Sequence, residues 1–121
     1  MITLPGGLKN AETLAANPLV IKMLKEQKEN NRWYCAICAS PAIVFQPHGL
    51  LDKDTPATCY PSLANKLSNQ TAIKEKVVVS GKCITSQGAG TSLEYSIALL
   101  KALNGEEKAK DIGTKMLCPG L

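Results

Sequence analysis

Apolar positions in this chain fall into short runs separated by polar or turn-forming stretches, and the spacing within each run predicts an element. Ile2-Thr3-Leu4 is a short apolar strand that runs straight into Pro5-Gly6-Gly7. Two glycines after a strand permit a tight turn and can offer backbone N–H groups to a ligand. Asn17-Pro18 opens a helix, with asparagine as N-cap and proline at the first helical position. Leu19, Val20, Met23 and Leu24 give that helix its apolar face, and Glu29-Asn30-Asn31 its polar end. Trp33 to Ile37 is an aromatic, apolar run of strand character, and a helix is expected from Pro41 to Gln46-Pro47-His48-Gly49. Ala57 to Tyr60 reads as a short strand closed by Pro61, and Ser62 to Leu67 as a helical turn or two. Val77 to Thr85 reads as a hairpin across a Ser-Gly turn. Thr91, with Glu94 three residues on, has the form of a capping box for a helix that Asn104-Gly105 ends. A last helical piece spans Glu106 to Leu117. Strands alternating with helices predict an α/β fold with a mostly parallel sheet.

The chemistry is concentrated where the second run breaks off. After Ile37 the pattern switches at Cys38 to Ala39-Ser40-Pro41. Small neighbours let the backbone fold sharply, and proline suits the first turn of a helix. A strand that turns sharply into a helix forms a nucleophile elbow, which lifts one side chain clear of the sheet. Unpaired N–H groups at the helix start favour thiolate over thiol. Cys38 is therefore the candidate reactive residue, against the alternative of a buried structural thiol.

Composition narrows the classes. The 121 residues suffice for one domain, expected over 1–121. The net charge of +4 comes from lysines interleaved with acids, as in Lys22, Lys25, Glu26, Lys28 and Glu29. That is a solvated helix face; specific nucleic-acid binding would need a contiguous basic stripe. No apolar run approaches a membrane span and no charged-then-apolar leader precedes the first strand, so no membrane partner and a cytoplasmic location are expected. Five cysteines at irregular spacing argue against a disulfide framework and for a reducing compartment.

Four segments in this order, Leu4-Pro5-Gly6-Gly7, Ala36-Ile37-Cys38-Ala39-Ser40-Pro41, Thr58 to Pro61, and Thr85-Ser86-Gln87-Gly88-Ala89-Gly90-Thr91-Ser92-Leu93-Glu94, resemble the PfpI superfamily. Within it they resemble the DJ-1 (DJ-one) branch, which includes the parkinsonism-associated deglycase. Pro47-His48-Gly49-Leu50-Leu51 looks closest to plant and bacterial members. The resemblance implies a flavodoxin-like sandwich, a nucleophilic Cys38, and an anion or oxyanion pocket lined by the amides of Gly7 and Ala39, with Gly6 and Tyr60 beside it. It implies no cofactor and no metal. Implied substrates are small 2-oxoaldehydes or glycated amines and thiols, and a homodimer is expected. Family members are described as glutathione-independent glyoxalases, deglycases, oxidative-stress sensors and chaperones.

The chain departs from that family in two respects. Family domains begin with about two further strand–helix units, the first carrying an acid/base glutamate beside the sulfur. No residue here matches it, so the chain is expected to be the C-terminal portion of the family domain. Some members also place a histidine where Tyr60 stands. Along a straight helix His48 would lie on the order of 15 Å from Cys38, so no Cys–His dyad is expected, and His48 is read as capping helix-end carbonyls.

Several motifs have a plainer reading. Cys35 and Cys38 form a C-x-x-C, yet residues three apart on a strand point to opposite faces, so neither a disulfide nor a zinc site is expected. Cys59, Cys83 and Cys118 read as packing or surface thiols, and Gly88-Ala89-Gly90 lacks the Lys-Ser/Thr of a phosphate loop. The leading function is cysteine-dependent detoxification of 2-oxoaldehydes. The alternative is a non-enzymatic oxidative-stress sensor or chaperone working through oxidation of Cys38.

Overall fold

In the computed structural model, which describes residues 1–120, four strands form one sheet. They are β1 (Ile2–Leu4), β2 (Tyr34–Ile37), β3 (Val77–Ser80) and β4 (Cys83–Ser86), in the order β1-β2-β4-β3. β1, β2 and β4 run parallel, whereas β3 pairs antiparallel with β4 across the expected Ser80-Gly81 hairpin turn. The parallel registers Leu4↔Ala36 and Ala36↔Thr85 bring the C-terminal ends of three strands side by side.

Helices cover both faces. α1 (Leu8–Ala15) and α2 (Pro18–Glu29) lie against one face, and α3 (Ser92–Asn104) against the other with α4 (Glu106–Lys115) packed on it. Strand alternation sorts β2 accordingly. Tyr34 and Ala36 join Leu24, Phe45 and Leu50 in the larger core, while Cys35 joins Ile84 and Tyr95 beneath α3. Leu24, Val44, Phe45 and Leu50 are fully buried; each contributes about 1.5–3 kcal/mol by leaving water. The edge strand is tied to the far layer by a hydrogen bond between the Thr3 and Tyr95 hydroxyls.

Asn17 caps α2 as its sequence requires, its side-chain oxygen accepting from Leu19 N at 3.0 Å and Val20 N at 3.3 Å. Asn31 takes the left-handed conformation (φ 53°) just past the end of α2, which asparagine tolerates better than most residues. His48 Nε2 donates to the carbonyl of Ala15, the last residue of α1, at 2.9 Å. Its role at a helix end holds, although the helix is not the one that precedes it in the chain.

Four expectations need correction. On α2 the buried positions are Ile21, Leu24 and Gln27, whereas Leu19 and Met23, expected on its apolar face, are exposed, and α1 has no counterpart among the expected elements. Ala57 to Tyr60 does not join the sheet: Thr58 N donates to the side chain of Thr85 at 3.0 Å and Tyr60 N to Cys38 O at 2.7 Å, so no strand ladder forms. The capping box at Thr91 is absent. Its hydroxyl contacts Ser86 Oγ at 2.7 Å and donates to Gly88 O at 2.9 Å, while Glu94 faces Lys76 at 3.9 Å on the surface. α4 stops at Lys115, two residues short of Leu117, whose φ of 59° is not helical.

Candidate active site

Cys38 sits one residue past β2 with φ +65°, a conformation rarely adopted by residues bearing a Cβ. Its N–H donates to Ser86 O at 3.0 Å, continuing the ladder to β4, and its carbonyl accepts from Tyr60 N at 2.7 Å. Both backbone polar groups are thus fixed while the dihedral reverses the chain. This is the expected elbow. Cys38 is partly exposed, whereas Cys35, three residues earlier, is fully buried in the α3-side core. All five cysteines are free thiols.

The coil that follows is shorter and wider than expected. Pro41–Phe45 is a single turn with i→i+5 geometry, Gln46 N donating to Pro41 O at 3.0 Å. A helix dipole needs length, so any electrostatic help to a thiolate comes from the first few amides alone. Among the described residues, the Ala39 and Gly7 amides donate to no acceptor within the protein.

The Pro5-Gly6-Gly7 loop is pressed against the elbow. A Cβ placed on Gly6 would lie 2.5 Å from Cys38 Cβ and 3.3 Å from its Sγ, so only glycine fits. Gly7 has φ +88° and carries the start of α1, a second position where a side chain would be strained. Ser40, fully buried, donates from Oγ to Pro5 O at 2.6 Å, and Asn10 Nδ2 donates to Gly6 O at 3.1 Å. These two bonds clamp the loop from opposite sides.

The third wall is the segment through Cys59 and Tyr60. Tyr60 is 49 % exposed, and a Cβ on Gly88 would lie 3.7 Å from its ring. The structure therefore gathers Gly6, Gly7, Cys38, Ala39 and Tyr60 at the C-terminal ends of β1, β2 and β4. In open α/β sheets ligands bind at that end of the strands. Gly6 stands there as the residue that permits close approach. Cys59, read from the sequence as a packing or surface thiol, is fully buried next to Tyr60. Burial, with a smaller contribution from charge on Cys38, pushes Cys59 up from the ordinary 9.0 to about 11. Its only sequence signal was its position in the Thr58–Pro61 segment.

Other concavities lie elsewhere. A groove of about 630 Å³ between the end of α1 and α2 is lined by Ala15, Ile21, Lys22, Lys25, Glu26 and His48 among others, and Cys38 is not part of it. Among the described residues no cluster of three or more His, Cys, Asp or Glu could hold a metal ion, and no helix is long and apolar enough to cross a membrane.

Residues 1–102 match the DJ-1/PfpI family. The chain is 47 % identical over 117 residues to protein DJ-1 homolog B of Arabidopsis thaliana, covering 97 % of this chain and 26 % of that protein. It is 31 % identical to glutathione-independent glyoxalase DJR-1.2 of Caenorhabditis elegans, with 98 % of this chain and 62 % of the relative covered. The oxidized DJ-1 of Toxoplasma gondii superposes with a TM-score of 0.86 at 35 % identity, covering 93 % of this chain and 60 % of that one. The chain thus spans about a quarter of the plant relative and about three-fifths of the other two. Fold and motifs agree: this is a flavodoxin-like α/β chain, and it belongs to the DJ-1/PfpI family.

Proposed function

We propose that this chain carries the nucleophile and the oxyanion cradle for detoxifying small 2-oxoaldehydes, free or as adducts on amines and thiols. The observation that carries the reading is the elbow: a partly exposed Cys38 at φ +65° with the Pro5-Gly6-Gly7 loop in van der Waals contact. A worm relative of similar sequence is named a glutathione-independent glyoxalase, which supports the substrate class.

In this mechanism the Cys38 thiolate adds to the aldehyde carbon of methylglyoxal, forming a C–S bond and an alkoxide. The Gly7 and Ala39 amides, which have no acceptor among the described residues, hydrogen-bond that oxygen as charge develops on it. A proton then moves from the aldehyde carbon to the neighbouring carbonyl carbon, leaving a thioester. Water hydrolyses it to the 2-hydroxy acid and returns the thiolate. Tyr60, beside the sulfur-bearing turn, packs against the bound substrate and offers its hydroxyl to the second carbonyl. The proton transfer needs an acid/base group, which none of these residues supplies.

The test is lactate formation from methylglyoxal, together with loss of free thiol at Cys38 on mixing, in wild type and Cys38→Ser. Both signals should vanish in the variant. Because the acid/base group is not supplied by these residues, thiol loss is the primary signal, and lactate formed at equal, non-zero rates by the two proteins would remove Cys38 from the chemistry.

A further inference from the structure

The mechanism leaves Cys59 without a task. Its thiol is fully buried, yet it belongs to the segment that is hydrogen-bonded to the elbow itself. The Tyr60 N to Cys38 O bond of 2.7 Å fixes the spacing of the two cysteines. With standard backbone bond lengths, it holds the Cα atoms of residues 38 and 59 no farther apart than about 7.5 Å. Disulfides span Cα separations of about 4.4–6.8 Å, so the two Cα atoms lie within that range or at most about 1 Å beyond it, and closure requires the Cys59 thiol to leave its 3.3 Å bond to Tyr60 O. Charge on the Cys38 sulfur is felt at Cys59. The other three cysteines lie elsewhere: Cys35 faces the α3-side core, Cys83 pairs in register with Tyr34, away from the elbow, and Cys118 lies just past α4 beside α3.

We propose that Cys59 is a resolving thiol for Cys38: after Cys38 is oxidised by a peroxide, the two close a reversible disulfide that protects the nucleophile from over-oxidation. The proposal rests on Cys38 being reactive, as the function above requires. In the first step the Cys38 thiolate attacks a peroxide oxygen. An S–O bond forms, the O–O bond breaks, and the leaving hydroxide or alkoxide takes a proton. The sulfur is oxidised to sulfenic acid and the peroxide is reduced. In the second step the Cys59 sulfur attacks the Cys38 sulfur. The S–S bond forms, the S–O bond breaks, and hydroxide departs with the Cys59 proton as water. A small dithiol restores both thiols. Because the Cys59 thiol stays protonated near neutral pH, the second step accelerates as pH rises towards 11.

The experiment exposes wild type, Cys59→Ser and Cys59→Ala to a slight excess of hydrogen peroxide, caps free thiols with iodoacetamide, and maps tryptic peptides without reduction. In wild type the peptides 33–53 and 54–66 should appear joined, with fragmentation placing the bond on Cys38 and not on Cys35, and dithiothreitol should release them. In both variants sulfinic acid at Cys38 should rise several-fold. Wild type that accumulates sulfinic acid at Cys38 with Cys59 still a free thiol, alkylated once the protein is unfolded in denaturant, overturns the resolving role and leaves the nucleophile reading intact. Cys38 that stays a thiol under peroxide and also resists iodoacetamide overturns both. The wild-type measurement needs no substitution, so a variant that fails to fold does not spoil it.

Discussion

Gly6 and Cys38 stand so close that a single added methyl on Gly6 would lie 2.5 Å from Cys38 Cβ. The elbow and the glycine loop are therefore one packed unit, although the two residues lie far apart in the chain. Gly6→Ala should cost about 1–3 kcal/mol through overpacking and displace the thiol. Gly90→Ala, where an added Cβ meets nothing within 4 Å, is the control and should be nearly neutral. Urea unfolding of the two variants beside wild type checks this; equal stabilities would mean that the loop does not press on the elbow.

The strained dihedral at Cys38 has its own consequence. At φ +65° a Cβ costs about 1–2 kcal/mol relative to glycine. Cys38→Gly should therefore be more stable than Cys38→Ala by about 1 kcal/mol, reversing the usual order of those two residues. Thermal unfolding of both variants decides it, and an alanine variant that melts higher would place Cys38 in ordinary backbone.

Ser40 holds the oxyanion loop to the elbow through its 2.6 Å bond to Pro5 O. Ser40→Ala removes that donor at a cost of about 1 kcal/mol in stability. The Gly7 amide then loses its fixed position, and the rate at which methylglyoxal consumes the Cys38 thiol should fall on the order of tenfold. An unchanged rate would show that the loop does not stabilise the alkoxide.

Alkaline stability follows from the buried thiols. Burial pushes both Cys35 and Cys59 up from the ordinary 9.0 to about 11. The unfolded chain loses those protons first, so it binds fewer protons than the native state between pH 9 and 11. Stability is fully present below pH 9 and declines through that window. Urea midpoints measured across it should fall, and less steeply in Cys59→Ala than in wild type. Parallel curves would mean that Cys59 is not held neutral by burial.

How much of this was legible in the residues can be judged from particular places. The elbow was readable because one abrupt change, from Trp33–Ile37 to Ala39-Ser40-Pro41, is a local signal, and a reversed dihedral needs such small neighbours. The paired strands, the Asn17 cap and the Gly81 hairpin turn are local in the same way. α1 escaped because it starts at Gly7 with no capping side chain and fully buries only Ala11. Ala57 to Tyr60 has strand composition, but its backbone is bonded to the Thr85 side chain and to the elbow carbonyl. Thr91 follows the capping pattern, yet its hydroxyl is taken by Ser86 and Gly88. Cys59 was hidden for a related reason: its segment reaches the elbow, some twenty positions back, through the Tyr60 N to Cys38 O bond, which no spacing rule encodes.

The most direct measurement is the competition among all five thiols for limiting iodoacetamide on the native protein at pH 7, read peptide by peptide. Cys38 should be alkylated at least on the order of tenfold faster than Cys35, Cys59, Cys83 or Cys118, because it alone joins exposure to a turn lined by free amides. Labelling of Cys38 no faster than that of Cys118 would contradict a reactive sulfur at the elbow.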